Sequence, residues 1–199
     1  MTWLSEFLWQ GTAGGLRQVL IMNKLQCLQC LQFLQDHHVE MNVLEHPAVF
    51  NMDEMHALHM PRGEQVAKNL FLRDDKKRNF YLVTVPGGRR VDMKQLRHSI
   101  GSRPLSFAPE PDLERLLGLK EGSVTPLGLL NDREHRVRLY LDASFQNEWI
   151  GVHPMENTAT VFLQADALFH LLQECGCPAE WLYFLPETSA ETGFYASRA

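Results

Sequence analysis

The sequence predicts a mixed α/β domain built on a largely antiparallel or mixed sheet. Three observations carry that expectation. Short strand-like runs at 66–72, 80–85, 137–141 and 158–163 are interleaved with segments that read as helices at 25–37, 111–117 and 166–175. The connections are too uneven for the regular strand-helix-strand spacing of a dinucleotide-binding fold, and no internal repeat is visible. Finally, 199 residues with 45% apolar and 22% charged content can bury a real core without a disulfide or metal staple.

Each element has its own local reason. Residues 25–37 form an amphipathic helix in which glutamine recurs every third residue, and residues 41–45 a short strand. His46-Pro47 breaks regular structure, because the residue before proline is pushed out of the helical region. Asn51 or Asp53 can cap a short helix through Met55 and Leu58. The polar Asp74-Asp75-Lys76-Lys77 makes a hairpin turn between strands 66–72 and 80–85. Pro86-Gly87-Gly88 is a second turn, leading to a strand near Arg90 and a helix capped by Asp92.

Further on, the pattern predicts a strand at 105–107, a helix at 111–117 stopped by Gly118, and a loop at 122–126. Strands follow at 127–130, 137–141 and 158–163. Asp166 caps a helix that Gly176 stops, and 181–184 is the last strand. Residues 1–22 read as a peripheral extension, 23–185 as the domain, and 186–199, polar and aperiodic, as a loose tail.

Several classes are excluded early. The chain is too short for a complete aminoacyl-tRNA synthetase, a two-lobed kinase or a TIM barrel. Residues 1–21 contain Glu6, Gln10, Arg17 and three glycines, so they form neither a membrane span nor a signal peptide. The expectation is a cytoplasmic protein with no membrane partner. No nucleophile elbow, phosphate-binding glycine loop, dinucleotide fingerprint or His-Glu-x-x-His motif occurs.

Cys27-x-x-Cys30 has a metal-ligand spacing, but it sits inside the amphipathic helix without the glycine-bearing turn of a zinc knuckle. Cys175-Gly-Cys177 lies at a helix end with an unusual ligand spacing. Reduced core cysteines are the better reading, and no metal is expected. His56-x-x-His59 lacks a partner cluster and is rejected as a site.

Charge is distributed unevenly. The chain carries −5 overall, yet from Arg62 to Arg103 there are eleven basic residues against four acidic ones, a net of +7. The remainder holds eight basic against twenty acidic residues, a net of −12. A positive stretch in an acidic protein fits either a polyanion met on one face or a solvated hairpin with charged turns.

Candidate chemistry is sparse. Lys68, within Val66-Ala-Lys-Asn-Leu-Phe-Leu72, is either an edge residue whose ammonium reaches water or a cation in a cleft. Asn69 beside it should point to the other face unless the strand ends or bulges. Gly122-Ser123-Val124-Thr125-Pro126 can present backbone N–H groups to an anion, or simply connect two elements. His153 and Asn157 lie in an irregular segment, as acid-base or water-orienting groups or as structural turn residues.

Together these weak signals form a pattern. Val66-Ala-Lys-Asn-Leu-Phe-Leu-Arg-Asp74, Asn79-Phe-Tyr-Leu-Val83, Leu116 through Gly122-Ser-Val-Thr-Pro126 to Asn131, and Val152-His-Pro-Met-Glu-Asn-Thr-Ala-Thr-Val161 occur in that order. The chain thereby resembles the YbaK/prolyl-tRNA-synthetase-associated domain family, over residues 25–185. It is similar to the free-standing members that hydrolyse wrongly charged tRNA for proline in trans.

The resemblance implies a barrel-like mixed sheet flanked by helices, with one cleft for the aminoacylated 3′ end. It implies that Lys68 is the family's essential lysine. Asn69 is then the asparagine of the alanine-specific branch, where the cysteine-specific branch has threonine. Gly122, Ser123, Val124, Thr125 and Pro126 match the family's glycine loop, and His153 and Asn157 its His-Pro-x-x-Asn motif. Lys68, Asn69 and His153 are thus the catalytic candidates, and the glycine loop with Asn157 binds substrate. From the basic stretch, Arg73, Lys76, Lys77 and Arg78 are the residues expected to contact tRNA.

The implied activity is hydrolysis of alanyl-tRNA for proline, with no metal or organic cofactor. Prolyl-tRNA synthetase or an elongation factor is the implied docking partner. Two alternatives remain open: a deacylase for the cysteinyl ester, and a non-catalytic module that binds tRNA or a synthetase.

Overall fold

The computed structural model describes residues 26–49, 52–58 and 61–184. The extension, the tail, the Asn51 cap and His59 lie outside those residues, as does the side chain of His56. The first helix, α1, spans residues 26–36 and buries Cys27, Cys30 and Leu34 on one face. It leads into strand β1 (Met41–Glu45), followed by the short helix α2 (Met52–Ala57).

Strands β2 (Ala67–Asp74) and β3 (Phe80–Pro86) form the expected hairpin, paired from Ala67–Pro86 to Arg73–Phe80. Asp74 closes its turn by accepting from Arg78 N at 2.9 Å and Asn79 Nδ2 at 2.6 Å. Helix α3 (Met93–Ser99) is capped by Asp92, whose carboxylate accepts from the Lys94 and Gln95 amides. Strand β4 (Leu105–Phe107) returns along the end of β2, and helix α4 (Glu110–Leu117) buries Leu113, Leu116 and Leu117. Gly118, at φ 64°, ends α4 in the left-handed conformation that glycine adopts without steric cost.

The remaining strands are β5 (Val137–Asp142), β6 (Trp149–Val152), β7 (Ala159–Gln164) and β8 (Ala179–Leu182), with helix α5 (Ala165–Glu174) between the last two. They assemble into two sheets. The larger has the order β4-β2-β3-β5-β8, antiparallel around β2 and parallel from β3 through β8. The smaller, β1-β7-β6, is antiparallel throughout. One parallel bridge, Val66 to Gly151, links them at the foot of β2. The mixed α/β class is as expected, but among the described residues the strands do not close into a barrel.

A single large core lies between the sheets and under α1, α4 and α5, drawing on Phe71, Leu82, Leu139, Val161 and Leu172 among others. A second cluster, with Leu72, Val83, Val85, Leu96 and Tyr140, fills the other face of the larger sheet beneath α3. Both faces of β2 and β3 are therefore covered, which explains their nearly continuous apolar sequence.

Three local expectations are corrected. Residues 127–130 are not a strand but part of a 3-10 helix, Pro126–Asn131. Its apolar run is core packing: Leu127 and Leu129 are buried, and the Thr125 hydroxyl accepts from the Leu127 amide. No strand forms near Arg90, because Arg89 leaves the ladder to pair with Asp142 at 2.7 Å. Asp166 does not cap α5. It sits in the first turn and accepts from Asn147 N, while Gln164 holds the cap position.

Strand β6 was not anticipated, since Gly151 weakens its alternation. The glycine is required: a Cβ there would stand 2.7 Å from the Phe162 ring.

Candidate functional site

A cleft of about 700 Å³ opens at the foot of β2, where the two sheets meet. Strand β4 pairs with Leu72, Arg73 and Asp74, and the Ala108 amide donates to the Phe71 carbonyl, so this edge of β2 is left uncovered from Ala67 to Leu70. Lys68, Asn69, Gly122, Val124 and His153 all line it. Residues more than 80 positions apart are thus brought together by the β2 edge, the loop after α4 and the loop after β6.

Lys68 is held by its tip. Its Nζ donates to the Arg89 carbonyl oxygen at 2.5 Å, leaving two further protons for a ligand. Burial lowers its pKa from the ordinary lysine value. The Arg89 carbonyl is itself fixed, because the guanidinium pairs with the buried Asp142 carboxylate and lies 4.8 Å over the Phe184 ring. A turn signal at Gly87-Gly88 therefore ends in an anchored carbonyl that aims the lysine.

Asn69 is fixed at both ends of its amide. Thr84, fully buried on β3, donates its hydroxyl to Asn69 Oδ1 at 2.8 Å. Asn69 Nδ2 donates to the Val124 carbonyl at 3.0 Å and so ties the glycine loop to β2. In the loop itself Gly122 sits at φ 84°, a conformation suited to glycine. Ser123 N donates to Lys120 O, whereas the Gly122 and Val124 amides have no acceptor among the described residues.

His153 completes the floor of the cleft. Its Nδ1 donates to the Ala159 carbonyl at 3.0 Å, so the neutral ring keeps Nε2 as an acceptor. Burial pushes its pKa below the usual 6.5, helped by the nearby His46 ring and opposed by the Ala159 carbonyl. The two imidazoles lie 6.1 Å apart, centroid to centroid.

Other sequence candidates lie elsewhere. Ser123, Thr125, Pro126 and Asn157 do not line the cleft. The Ser123 hydroxyl donates to Lys120 O, Thr125 caps the 3-10 helix, and Pro126 is buried at its start. Asn157 Nδ2 donates to Val49 O at 3.0 Å and holds the segment after β1. Arg73 pairs with Asp112 at 2.7 Å, and Lys76, Lys77 and Arg78 are exposed in the hairpin turn. At ~3.3 Å per residue, the turn begins roughly 20 Å along β2 from Lys68.

Three cleft features escaped the sequence reading: Thr84, the exposed Phe107 at the end of β4, and the carboxylates Glu110 and Glu121. Only Glu121 had a local signal, its place beside Gly122. The cysteines stay outside the cleft. Burial raises the Cys27 and Cys30 thiols to about 12, and the neighbouring Glu156 adds to the shift at Cys27. Among the described residues, no group of three His, Cys, Asp or Glu side chains is placed to hold a metal ion.

The fold and cleft define a mixed α/β protein whose cleft is lined by an anchored lysine, a rigid amide and two loop residues whose backbone N–H groups have no acceptor among the described residues. Comparison with known proteins narrows the class. The family model of the aminoacyl-tRNA editing domain matches residues 46–171. The prolyl-tRNA editing protein ProX of Acetoanaerobium sticklandii is 35% identical over 144 residues, covering 72% of this chain and 88% of that one. The prolyl-tRNA synthetase associated domain-containing protein 1 of Xenopus laevis is 35% identical over 171 residues, covering 82% and 94%.

A solved structure of a candidate trans-editing enzyme for prolyl tRNA synthetase shares the fold, with a TM-score of 0.59, 21% identity, and coverage of 80% of this chain and 96% of that one. The chain belongs to the aminoacyl-tRNA editing domain family.

Proposed function

We propose that the protein is a trans-editing hydrolase that removes alanine from wrongly charged tRNA for proline. The observation that carries this reading is the convergence of Lys68, Asn69, Gly122, Val124 and His153 on one cleft. The names of the relatives, a prolyl-tRNA editing protein and prolyl-tRNA synthetase associated proteins, support the choice of tRNA.

The reaction needs little machinery. An aminoacyl ester is already activated, so positioning, a water molecule and stabilisation of the developing oxyanion suffice. Lys68 holds the terminal phosphate or ribose end as a point charge. The Gly122 and Val124 amides take the ester carbonyl as negative charge grows on its oxygen. His153 Nε2 accepts a hydrogen bond from the attacking water, in the neutral form its burial favours. Asn69 fixes the loop at the right distance and narrows the acyl end of the cleft.

Size explains the selectivity. A synthetase built for proline cannot exclude alanine sterically, and a lost methylene yields only ~1–3 kcal/mol of discrimination. A second site too small for proline rejects the correct product instead. Arg73, Lys76, Lys77 and Arg78 would meet phosphates of the acceptor stem. The editing domain would run from residue 23 to 185, and prolyl-tRNA synthetase is the partner that would supply its substrate.

The test is a panel of tRNA for proline charged separately with alanine, cysteine and proline. The reading predicts rapid loss of the alanyl ester and persistence of the prolyl ester. Preferential loss of the cysteinyl ester would move the protein to the sister activity, and persistence of all three would overturn hydrolysis.

A further inference from the structure

The cleft rim carries an aromatic ring that the chemistry above does not use. Phe107 ends β4 and is 65% exposed, and of the four large apolar side chains exposed among the described residues, it alone lines the cleft with Lys68. Its backbone is rigid: β4 pairs with β2 through Leu105, Ser106 and Phe107, and the next amide, Ala108 N, donates to Phe71 O at 2.9 Å. Pro109 then caps α4. Its ring does not stand alone: Phe107 lines the same cleft as the apolar side chains of Met52, Met55 and Leu113, so it extends a concave apolar surface of the kind that ligands cover.

We infer that Phe107 is a stacking platform for the 3′-terminal adenine of the tRNA, a base subsite beside the ester site. This rests on the editing function proposed above. The geometry follows from covalent connection. The terminal ribose carries both the ester and its base, so whatever holds the ester in the cleft delivers a nucleobase to the rim.

The rim chemistry selects a base over a phosphate. Glu110 and Glu121, both exposed, line the same opening and repel a phosphodiester. A carboxylate can accept from the adenine exocyclic amine, while the flat ring stacks on Phe107. Such stacking tolerates any base, because every base has a π-face, and removing an aromatic platform typically weakens binding ten- to hundred-fold, corresponding to ~1–3 kcal/mol.

The experiment compares Phe107→Ala and Phe107→Trp with the wild type. A first readout uses tRNA for proline that carries 2-aminopurine at its 3′ end and alanine through a non-hydrolysable amide. Stacking quenches the fluorophore on binding to the wild type and to Phe107→Trp, but not to Phe107→Ala. A second readout follows hydrolysis of alanyl-tRNA and of alanine ethyl ester, which has no base.

Phe107→Ala should raise KM for the tRNA ester about ten- to hundred-fold with kcat little changed, and leave the ethyl ester rate as it was. Equal quenching by wild type and Phe107→Ala would overturn the inference, as would equal loss on both esters. Because the fluorescence needs no turnover, a protein that stacks the base yet hydrolyses nothing would refute the editing reading and leave the base subsite standing.

Discussion

Thr84 donates its hydroxyl to Asn69 Oδ1 at 2.8 Å and thereby decides which way the Asn69 amide points. With the oxygen committed to β3, the amide nitrogen must face the Val124 carbonyl, and the glycine loop is tied to the lysine-bearing strand. A side chain with no access to substrate thus sets the width of the cleft.

Thr84→Val removes this donor while keeping the branched shape, and leaves a part-buried amide oxygen unpaired at about 1–3 kcal/mol. The expected result is a roughly ten-fold fall in kcat/KM for the alanyl ester, since ~1.4 kcal/mol corresponds to a factor of ten. Thr84→Ser restores the bond and should recover the rate. Deacylation kinetics of the two variants check this, and equal rates for Thr84→Val and wild type would refute the positioning role.

The same pair shows what a sequence can and cannot display. Lys68, Asn69, the glycine loop and His153 sit in recognisable local strings; Lys68, Asn69, Gly122, Val124 and His153 reach the cleft, whereas Ser123, Thr125, Pro126 and Asn157 do not. Thr84 is one hydroxyl in an apolar strand, and its role exists only through the register that sets it opposite Asn69. Phe107 looked like an ordinary strand residue until the edge position of β4 exposed it.

Among the fold elements, the hairpin and the α3 cap carried strong local chemistry, and the structure has both. The run at 127–130 misled because apolar content alone does not separate a strand from a buried 3-10 turn. Strand β6 was hidden because Gly151 answers to the Phe162 ring rather than to strand propensity.

Asp142 should affect catalysis without touching substrate. It holds Arg89, whose carbonyl aims Lys68. Asp142→Asn removes a buried charge from a pair whose arginine is one-third exposed, so the expected cost is about 1–3 kcal/mol, below the 3–5 of a fully buried pair. Urea unfolding should show that loss, and KM for the alanyl ester should rise, because the lysine loses its fixed acceptor. An unchanged KM would separate the ion pair from the site.

Gly122 tests the loop. At φ 84°, an alanine pays about 1–2 kcal/mol for the left-handed conformation. Gly122→Ala should relax the loop and reduce deacylation strongly, while Gly122→Asn, which tolerates this region better, keeps more activity. Thermal melts and single-turnover rates measured on both variants would show the ranking, and equal activity of the two would contradict it.

His153 makes stability depend on pH in a predictable direction. Its native pKa lies below 6.5, mainly through burial, so on acidification the unfolded chain binds a proton before the folded one. Its contribution is fully present above about pH 6.5 and is lost as pH falls through that value toward the native pKa, at no more than ~1.4 kcal/mol per pH unit. Denaturation midpoints between pH 7.5 and 5.5 should fall less steeply in His153→Asn, whose amide can still donate to Ala159 O. Parallel slopes would remove His153 as the cause.

The most direct measurement is single-turnover loss of the ester from alanyl-tRNA for proline, comparing wild type with Lys68→Ala. Lys68 lines the cleft, its ammonium directed by the Arg89 carbonyl. The account predicts a loss of at least a hundred-fold in rate while the variant stays folded, since a charged hydrogen bond at the reacting end of the substrate is worth ~1.5–3 kcal/mol and mispositioning adds to it. A variant that hydrolyses the ester at the wild-type rate would show that the chemistry lies outside this cleft.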